Sequence, residues 1–368
     1  MKFTIFGLSI TSAWGNGHAT LLRGLLRALA QDGHTIDFFE CDTPYYASHR
    51  DAPSLPFVNI HLYDSWENCL PTAQASLGEA DVAIVTSYCP HGAAASDLIS
   101  TKPHLFSIFY DMDTPVTLSE LSRGKTPAYL PSSGLGSFDL VLSYTGGEAL
   151  QRLQSHLGAQ RVEPLYGWVD PDSYVRTDIR PEYSCDLSYL GTYSADRQAA
   201  LEAFLIEPAR RLSQKQFVIA GAMYPDRTTW PSNIRTFEHI APPEHASFYS
   251  SGAITLNITR GAMASMGYCP SGRLFEAAAC GTPLMSDWWL GLDSFFSPGE
   301  EILIAENTDQ AIAILGIDHR ELTQIAVRAR QRTLDCHTAH QRAQRLLKLI
   351  EEEPAPAADY ERVYQGVR

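Results

Sequence analysis

Arg273 and Glu276 stand three residues apart, just after the turn Cys269-Pro270-Ser271-Gly272 and before the run Ala277-Ala278-Ala279-Cys280-Gly281. Ser271 or Gly272 reads as the N-cap of a short helix, Gly281 as its stop, and Pro283 to Ser286 as a buried strand beyond it. An i,i+3 pair shares one helix face. At a helix start, where backbone N–H groups point outward, an arginine can meet phosphate while a carboxylate accepts the hydroxyls of a ribose. The same pair also reads as a surface ion pair on a capped helix.

Two further arginines follow apolar runs. Gly191 ends one run and Arg197 lies six residues on, at the start of the next helical pattern, which is a phosphate-binding arrangement. Arg260 follows Ala253 to Asn257 in the same way.

The N-terminal half carries a different set. The loop Trp14-Gly15-Asn16-Gly17-His18 has glycines that permit close approach of a ligand, and His18 opens a helix. His18 is either a general base toward an acceptor hydroxyl or a cap for its own helix. The loop lacks the full dinucleotide fingerprint, although Glu40 partly supplies that fingerprint's acidic residue. Asp111 and Asp113, spaced Asp-x-Asp, can hold a divalent cation. Asp113-Thr114-Pro115 equally reads as a helix start, and Asp111 as an acceptor-binding or basic residue. His91, in Cys-Pro-His-Gly, sits in a similar post-strand loop.

The elements that must position these residues alternate. Phe3 to Ile10 reads as a buried strand, the leucines from Leu21 to Leu29 as one face of a helix, and Thr35 to Phe39 as the next strand. Strands at 81–86, 104–109, 139–143 and 161–165 continue the pattern. After a Pro-rich, polar stretch at 166–183 a second series follows, with strands at 186–190, 216–220, 234–237, 253–257, 283–286 and 302–305. Helices are expected at 198–212, 244–250, 273–280 and 308–315. This predicts two α/β, doubly wound, Rossmann-like domains, residues 1–168 and 184–318. Helices over 319–352 close the fold, and residues 353–368 read as a flexible tail. Ligands of such sheets bind at the carboxyl edges of the strands, where the residues above fall.

A formal net charge of −14 over 368 residues argues against nucleic acid and anionic membrane surfaces as partners. The seven cysteines show no metal spacing and fit reduced thiols, so a cytoplasmic location is expected. No apolar stretch is long enough for an integral membrane segment, and no leader is recognisable at Met1.

Gly-Arg-Leu-Phe-Glu-Ala-Ala-Ala-Cys-Gly-Thr-Pro-Leu resembles the donor-site segment of GT-B glycosyltransferases, specifically the branch like the spore maturation protein CgeB. The strings Ser-Ala-Trp-Gly-Asn-Gly-His-Ala-Thr, Phe-Tyr-Asp-Met-Asp-Thr-Pro-Val-Thr-Leu and Leu-Ser-Tyr-Thr-Gly-Gly extend that resemblance over about residues 1–350. It implies GT-B architecture, two Rossmann-like domains facing across a cleft, with the acceptor in the first, a nucleotide-sugar donor in the second, and a last helix crossing back. It implies that Glu276 binds the donor ribose and Arg197 the diphosphate, with Gly191, Arg260, Ser271, Gly272 and Arg273 nearby. His18 and Asp111 are then the catalytic candidates, and Gly15, Asn16, Gly17, His91 and Asp113 the acceptor or inter-domain loop residues. No metal or other cofactor is expected, and the acceptor is a small molecule or glycan. Two positions depart from the family pattern. Tyr268 stands where retaining members carry a glutamate, and Thr192 where an arginine commonly follows the glycine. A nucleotide-sugar epimerase and a non-catalytic nucleotide-sugar binder are the competing expectations.

Overall fold

The computed structural model describes residues 1–225 and 229–352, so the tail expected over 353–368 lies outside the described residues. The described residues form two wholly parallel sheets. The first holds β1 (Lys2–Gly7), β2 (Thr35–Cys41), β3 (Asn59–Tyr63), β4 (Val82–Thr86), β5 (Phe106–Asp111), β6 (Leu140–Ser143) and β7 (Val162–Pro164), in the order β3-β2-β1-β4-β5-β6-β7. The second holds β8 (Cys185–Leu190), β9 (Phe217–Ala220), β10 (Ile234–Phe237), β11 (Gly252–Asn257), β12 (Leu284–Ser286) and β13 (Leu303–Ile304), in the order β10-β9-β8-β11-β12-β13. Each order reverses once, between β1 and β4 and between β8 and β11. Beside such a reversal, helices leave to opposite faces and a crevice opens at the carboxyl ends of the strands.

Apolar runs form these strands because both faces of each sheet are covered. Phe3, Ile5, Ile84, Ile108 and Leu140 pack one face of the first sheet, and Phe6, Phe39, Val85, Phe109 and Val141 the other. In the second sheet Leu187, Tyr189, Ile219 and Leu256 face one core, while Val218, Ala220 and Leu284 face the other.

Three differences from the sequence reading have local causes. β1 ends at Gly7 rather than Ile10, because Ser9, Ile10 and Thr11 leave the sheet to bond Glu40. β3 and the helix Trp66–Glu79 lie where no element was expected. β3 is an edge strand whose Asn59 and His61 bond Asp37, and Pro71 sits inside the helix, so both patterns are masked in the sequence. The single helix expected over 198–212 is instead helical at Gln198–Leu201 and Glu207–Arg211 with a wide π turn, Glu202–Ile206, between. Pro208 follows that turn, and a proline's missing N–H favours such a rearrangement.

The last helix, Ala339–Glu351, begins with a capping box of Thr338 and Gln341 and lies against the first helix, Gly17–Gln31. Ala343, Leu346 and Leu349 join the core of the first sheet there, so the end of the chain packs on its beginning. Val169 links the two segments that pass between the sheets, donating its N–H to His337 O at 2.9 Å and accepting from Ala339 N at 2.8 Å. Arg342 adds bonds to the carbonyls of Tyr166, Gly167 and Cys336.

Candidate active site in the cleft between the sheets

The loops after β1 and β5 meet in one close contact. His18 Nε2 lies 2.7 Å from Asp113 Oδ2, and both side chains are mostly buried. Asn16 caps the helix Gly17–Gln31 by accepting from His18 N, and donates its own amide to Ser9 O and Ser12 O. Its side chain is therefore turned into the loop, so the cap is Asn16 rather than His18. Gly17 is the first residue of this helix, and Gly15 turns beside Tyr45 with φ +60°. Glu40 is fully buried and accepts from Ser9, Ile10 and Thr11, which employs it in shaping the loop.

Asp111 does not reach the cleft. It is 0% exposed, its Oδ1 accepts from Asp113 N, and Oδ2 has no hydrogen-bond partner. Burial raises its pKa to about 6, against weaker lowering by Thr117, Asp113 N–H and Ser87. With Asp113 engaged by His18 and Asp111 enclosed, the Asp-x-Asp pair offers no shared outward site. Among the described residues no three His, Cys, Asp or Glu side chains converge as a metal site would require. His91 is also apart from this pair: its ring lies against Tyr63 and Trp66.

Tyr88, from the loop after β4, stands edge-on to His18 with ring centroids 5.8 Å apart. Its φ of +63° is unusual for a bulky residue, and such backbone strain collects at functional sites. Burial, then Asp113 and Asp111, push its hydroxyl up to about 12. A positive φ leaves no mark in the sequence.

The loops after β8 and β11 supply the opposite wall. Arg273 projects from the helix Gly272–Ala279 to Leu190 O at 2.5 Å and Asn257 Oδ1 at 2.9 Å, with its guanidinium 5.3 Å from the centroid of the Tyr189 ring. Gly191 makes this approach possible, since a Cβ there would lie 3.1 Å from Arg273 Nη2 and 2.8 Å from the Tyr189 hydroxyl. Arg197 donates to Thr192 O, but its buried Nε has no partner. Burial lowers the Arg197 pKa, and the nearby Arg273 and Arg260 add to the effect. None of these three arginines forms an ion pair within 4.0 Å among the described residues. Ser271 occupies the N-cap of the Arg273 helix without a capping side-chain bond. Glu276, on the same helix, accepts from the Tyr249 hydroxyl at 3.0 Å. The structure thus brings Gly191, Arg197, Arg260, Arg273 and Glu276 to one sheet edge. It adds Tyr249 and Asn257, which lie in buried segments with no motif to mark them.

The two walls meet. Leu21 of the first helix lies 3.8 Å from the position of a Cβ on Gly272, so two helix starts approach each other. Trp14 packs between His49 and His239 with centroids 4.4 Å from each, joining a first-sheet loop to the loop after β10. Thr145 Oγ1 donates to Cys269 Sγ, and Gly146 N to Tyr268 O.

Residues 197–348 match the glycosyl transferase-like family model. No curated protein sequence matches the chain. Sucrose-phosphate synthase from Thermosynechococcus elongatus superposes with a TM-score of 0.67 at 14% identity, over 95% of this chain and 98% of that one. HepE from Anabaena, in complex with UDP-glucose, gives 0.66 at 12% identity, over 95% and 99%. An alpha-glucosyltransferase in complex with UDP-glucose and DNA containing an abasic site gives 0.66 at 13% identity, over 96% and 100%. This is the GT-B glycosyltransferase fold. The family match runs from just after β8 through β13 and into the last helix, so it covers most of the second sheet.

On this GT-B frame, the departure at Tyr268 has a structural role. Its φ is +46°, and its ring fits between two glycines with positive φ, Gly147 from the first half and Gly291 from the second. A Cβ would lie 2.7 Å from that ring at Gly147 and 2.4 Å at Gly291. Tyr268 therefore joins the halves of the cleft. Among the described residues no helix is long and apolar enough to cross a membrane.

Proposed function

We propose that this chain transfers a sugar from a nucleoside diphosphate sugar to a hydroxyl or amine of a small-molecule or glycan acceptor, without a metal. The observation that carries the reading is the group Arg197, Arg260 and Arg273, none of which forms an ion pair within 4.0 Å among the described residues, with Asp196 the acidic neighbour of Arg197 and Arg260, in a chain with a net charge of −14. Clustered cations repel one another, and an anionic ligand offsets that cost. Glu276 stands beside them for the ribose hydroxyls. UDP-glucose in two structural relatives makes UDP-glucose the first donor to test. The resemblance to the CgeB-like branch belongs to the same reading.

In the reaction, the bond from the sugar's anomeric carbon to the diphosphate breaks, and its electron pair stays on the phosphate oxygen. Arginines and helix-start amides would stabilise that charge, which is the part a metal plays elsewhere. The acceptor oxygen or nitrogen forms the new bond to the anomeric carbon and gives up a proton. With Asp113 accepting the Nε2–H of His18, the lone pair lies on Nδ1, which is buried without a hydrogen-bond partner, so taking this proton requires the loop of residues 14–17 to open toward the acceptor. The dyad is preferred to Asp111 as base because the His18 and Asp113 side chains keep some exposure, 13% and 18%, while Asp111 has none.

On this reading residues 1–168 hold the acceptor, 184–318 the donor, and 319–352 tie the two. Seven free cysteines, six of them buried, support a reducing, cytoplasmic setting. The acidic balance favours an acceptor other than nucleic acid, although one structural relative was captured with DNA. The test is UDP-glucose with and without an acceptor panel. Acceptor-dependent release of UDP is expected. Conversion of the donor without release would support an epimerase, and binding without turnover a non-catalytic protein.

A further inference from the structure

Glu276 sits on a helix whose other central side chains, Leu274, Phe275, Ala277, Ala278 and Ala279, are all buried. A carboxylate among such neighbours has two oxygens to satisfy, and here they have different surroundings. Oε2 accepts from the Tyr249 hydroxyl at 3.0 Å. Oε1 lies 3.9 Å from where a Cβ on Gly272 would be, at the helix start that faces Leu21 across the cleft.

Tyr249 is itself fixed from several sides. It is 0% exposed, it belongs to the helix His245–Ser251, and its carbonyl accepts from Thr282 Oγ1 at 2.7 Å. Thr282 follows Gly281, which ends the Glu276 helix turn, so one short segment holds both the carboxylate and its donor. Burial and the Glu276 charge push the Tyr249 hydroxyl well above its ordinary value, so it stays a neutral donor.

The neighbouring Tyr174 also lies within reach of Glu276, since burial and then the Glu276 charge raise its hydroxyl pKa, but its hydrogen is engaged elsewhere. His245 Nε2 lies 3.1 Å from Ile240 O, and a carbonyl only accepts, so Nε2 carries the hydrogen and Nδ1 the lone pair. Tyr174, 3.2 Å from Nδ1, therefore directs its hydroxyl hydrogen to His245. Burial lowers the His245 pKa, which agrees with a neutral ring. That leaves Tyr249 as the hydroxyl donor to Glu276.

We propose that Tyr249 is a positioning residue for nucleotide binding: its hydroxyl holds Glu276 Oε2, so that Oε1 is presented to the vicinal hydroxyls of a donor ribose. This rests on the reading of Glu276 as the ribose-binding residue.

The experiment is a titration of wild type, Tyr249→Phe, Glu276→Ala and the double variant. The probes are UDP, GDP, CDP and ADP, with the 2′-deoxy form of whichever binds wild type best. Tyr249→Phe removes one oxygen and keeps the ring, and it is expected to weaken binding of the ribonucleotide about tenfold. Binding of the 2′-deoxy nucleotide should change much less, so the ribo-to-deoxy preference narrows. In the Glu276→Ala background the same substitution should have no further effect. An undiminished ribo-to-deoxy preference in Tyr249→Phe, or an equal loss in both backgrounds, overturns the positioning role. Unchanged affinity in Glu276→Ala, or no binding of any of the four to wild type, instead overturns the donor-site reading on which it stands. Loss of affinity for ribo and deoxy forms alike would mark a packing effect and also count against the proposal.

Discussion

His18 Nε2 and Asp113 Oδ2 approach to 2.7 Å from loops separated by 95 positions in the chain. The strands that carry them, β1 and β5, are not neighbours, because β4 runs between them. The contact is thus a product of the sheet order, and it gives the imidazole a fixed orientation. Asp113→Asn should lower kcat about 10²-fold with little change in donor affinity. His18→Ala should cost at least as much, and the double variant no more than the worse single one. Near-normal turnover in both single variants would remove the dyad from the mechanism.

Asp111 should be felt in stability instead. Its folded pKa, about 6, lies above the ordinary carboxylate value, so between those values the folded chain holds a proton that the unfolded chain has released. Stability from this group therefore falls as pH rises from about 4 to about 6 and levels off above that. Asp111→Asn, which keeps the shape without the charge, should be the more stable protein at pH 7.5 by up to about 3 kcal/mol, with the difference shrinking toward pH 4. Urea midpoints across that range measure it. A difference that does not vary with pH would contradict the assignment.

Gly147 tests the junction between the halves. Its φ of +59° and the Tyr268 ring against it leave no room for a side chain. Gly147→Ala should cost about 1–3 kcal/mol in chemical denaturation. An unchanged midpoint would mean that Tyr268 moves aside freely.

Chelation tests the proposed metal independence. Transfer from UDP-glucose in excess EDTA should proceed at the untreated rate, since arginines and helix-start amides are assigned the leaving-group charge. Strict dependence on added Mn²⁺ would return Asp111 and Asp113 to the centre.

The repeating strand pattern made both sheets legible, because buried parallel strands are written as continuous apolar runs. The post-strand loops containing His18, Asp113, Arg197 and Arg260 were legible for the same reason. What stayed hidden depends on tertiary register. Tyr249 meets Glu276 from a helix 27 residues earlier, and only the packing of those helices decides that its hydroxyl meets Oε2. Asp111 and Asp113 look alike in sequence, yet one is enclosed and the other faces His18, since β5 ends at Asp111 and the turn into the next helix breaks the alternation that would put both on one face. Glu40 resembled a ligand residue by position, but four backbone or hydroxyl donors from residues 9–11 had already claimed it.

The central claim is that the arginine group binds a donor diphosphate, and Arg197, whose buried Nε has no partner, is its most direct probe. The decisive measurement is calorimetric titration of wild type and Arg197→Ala with UDP and with uridine. Wild type should bind UDP much more tightly than uridine, and Arg197→Ala should lose about tenfold or more in UDP affinity while its affinity for uridine is unchanged. Equal UDP affinity in the two proteins would contradict the account.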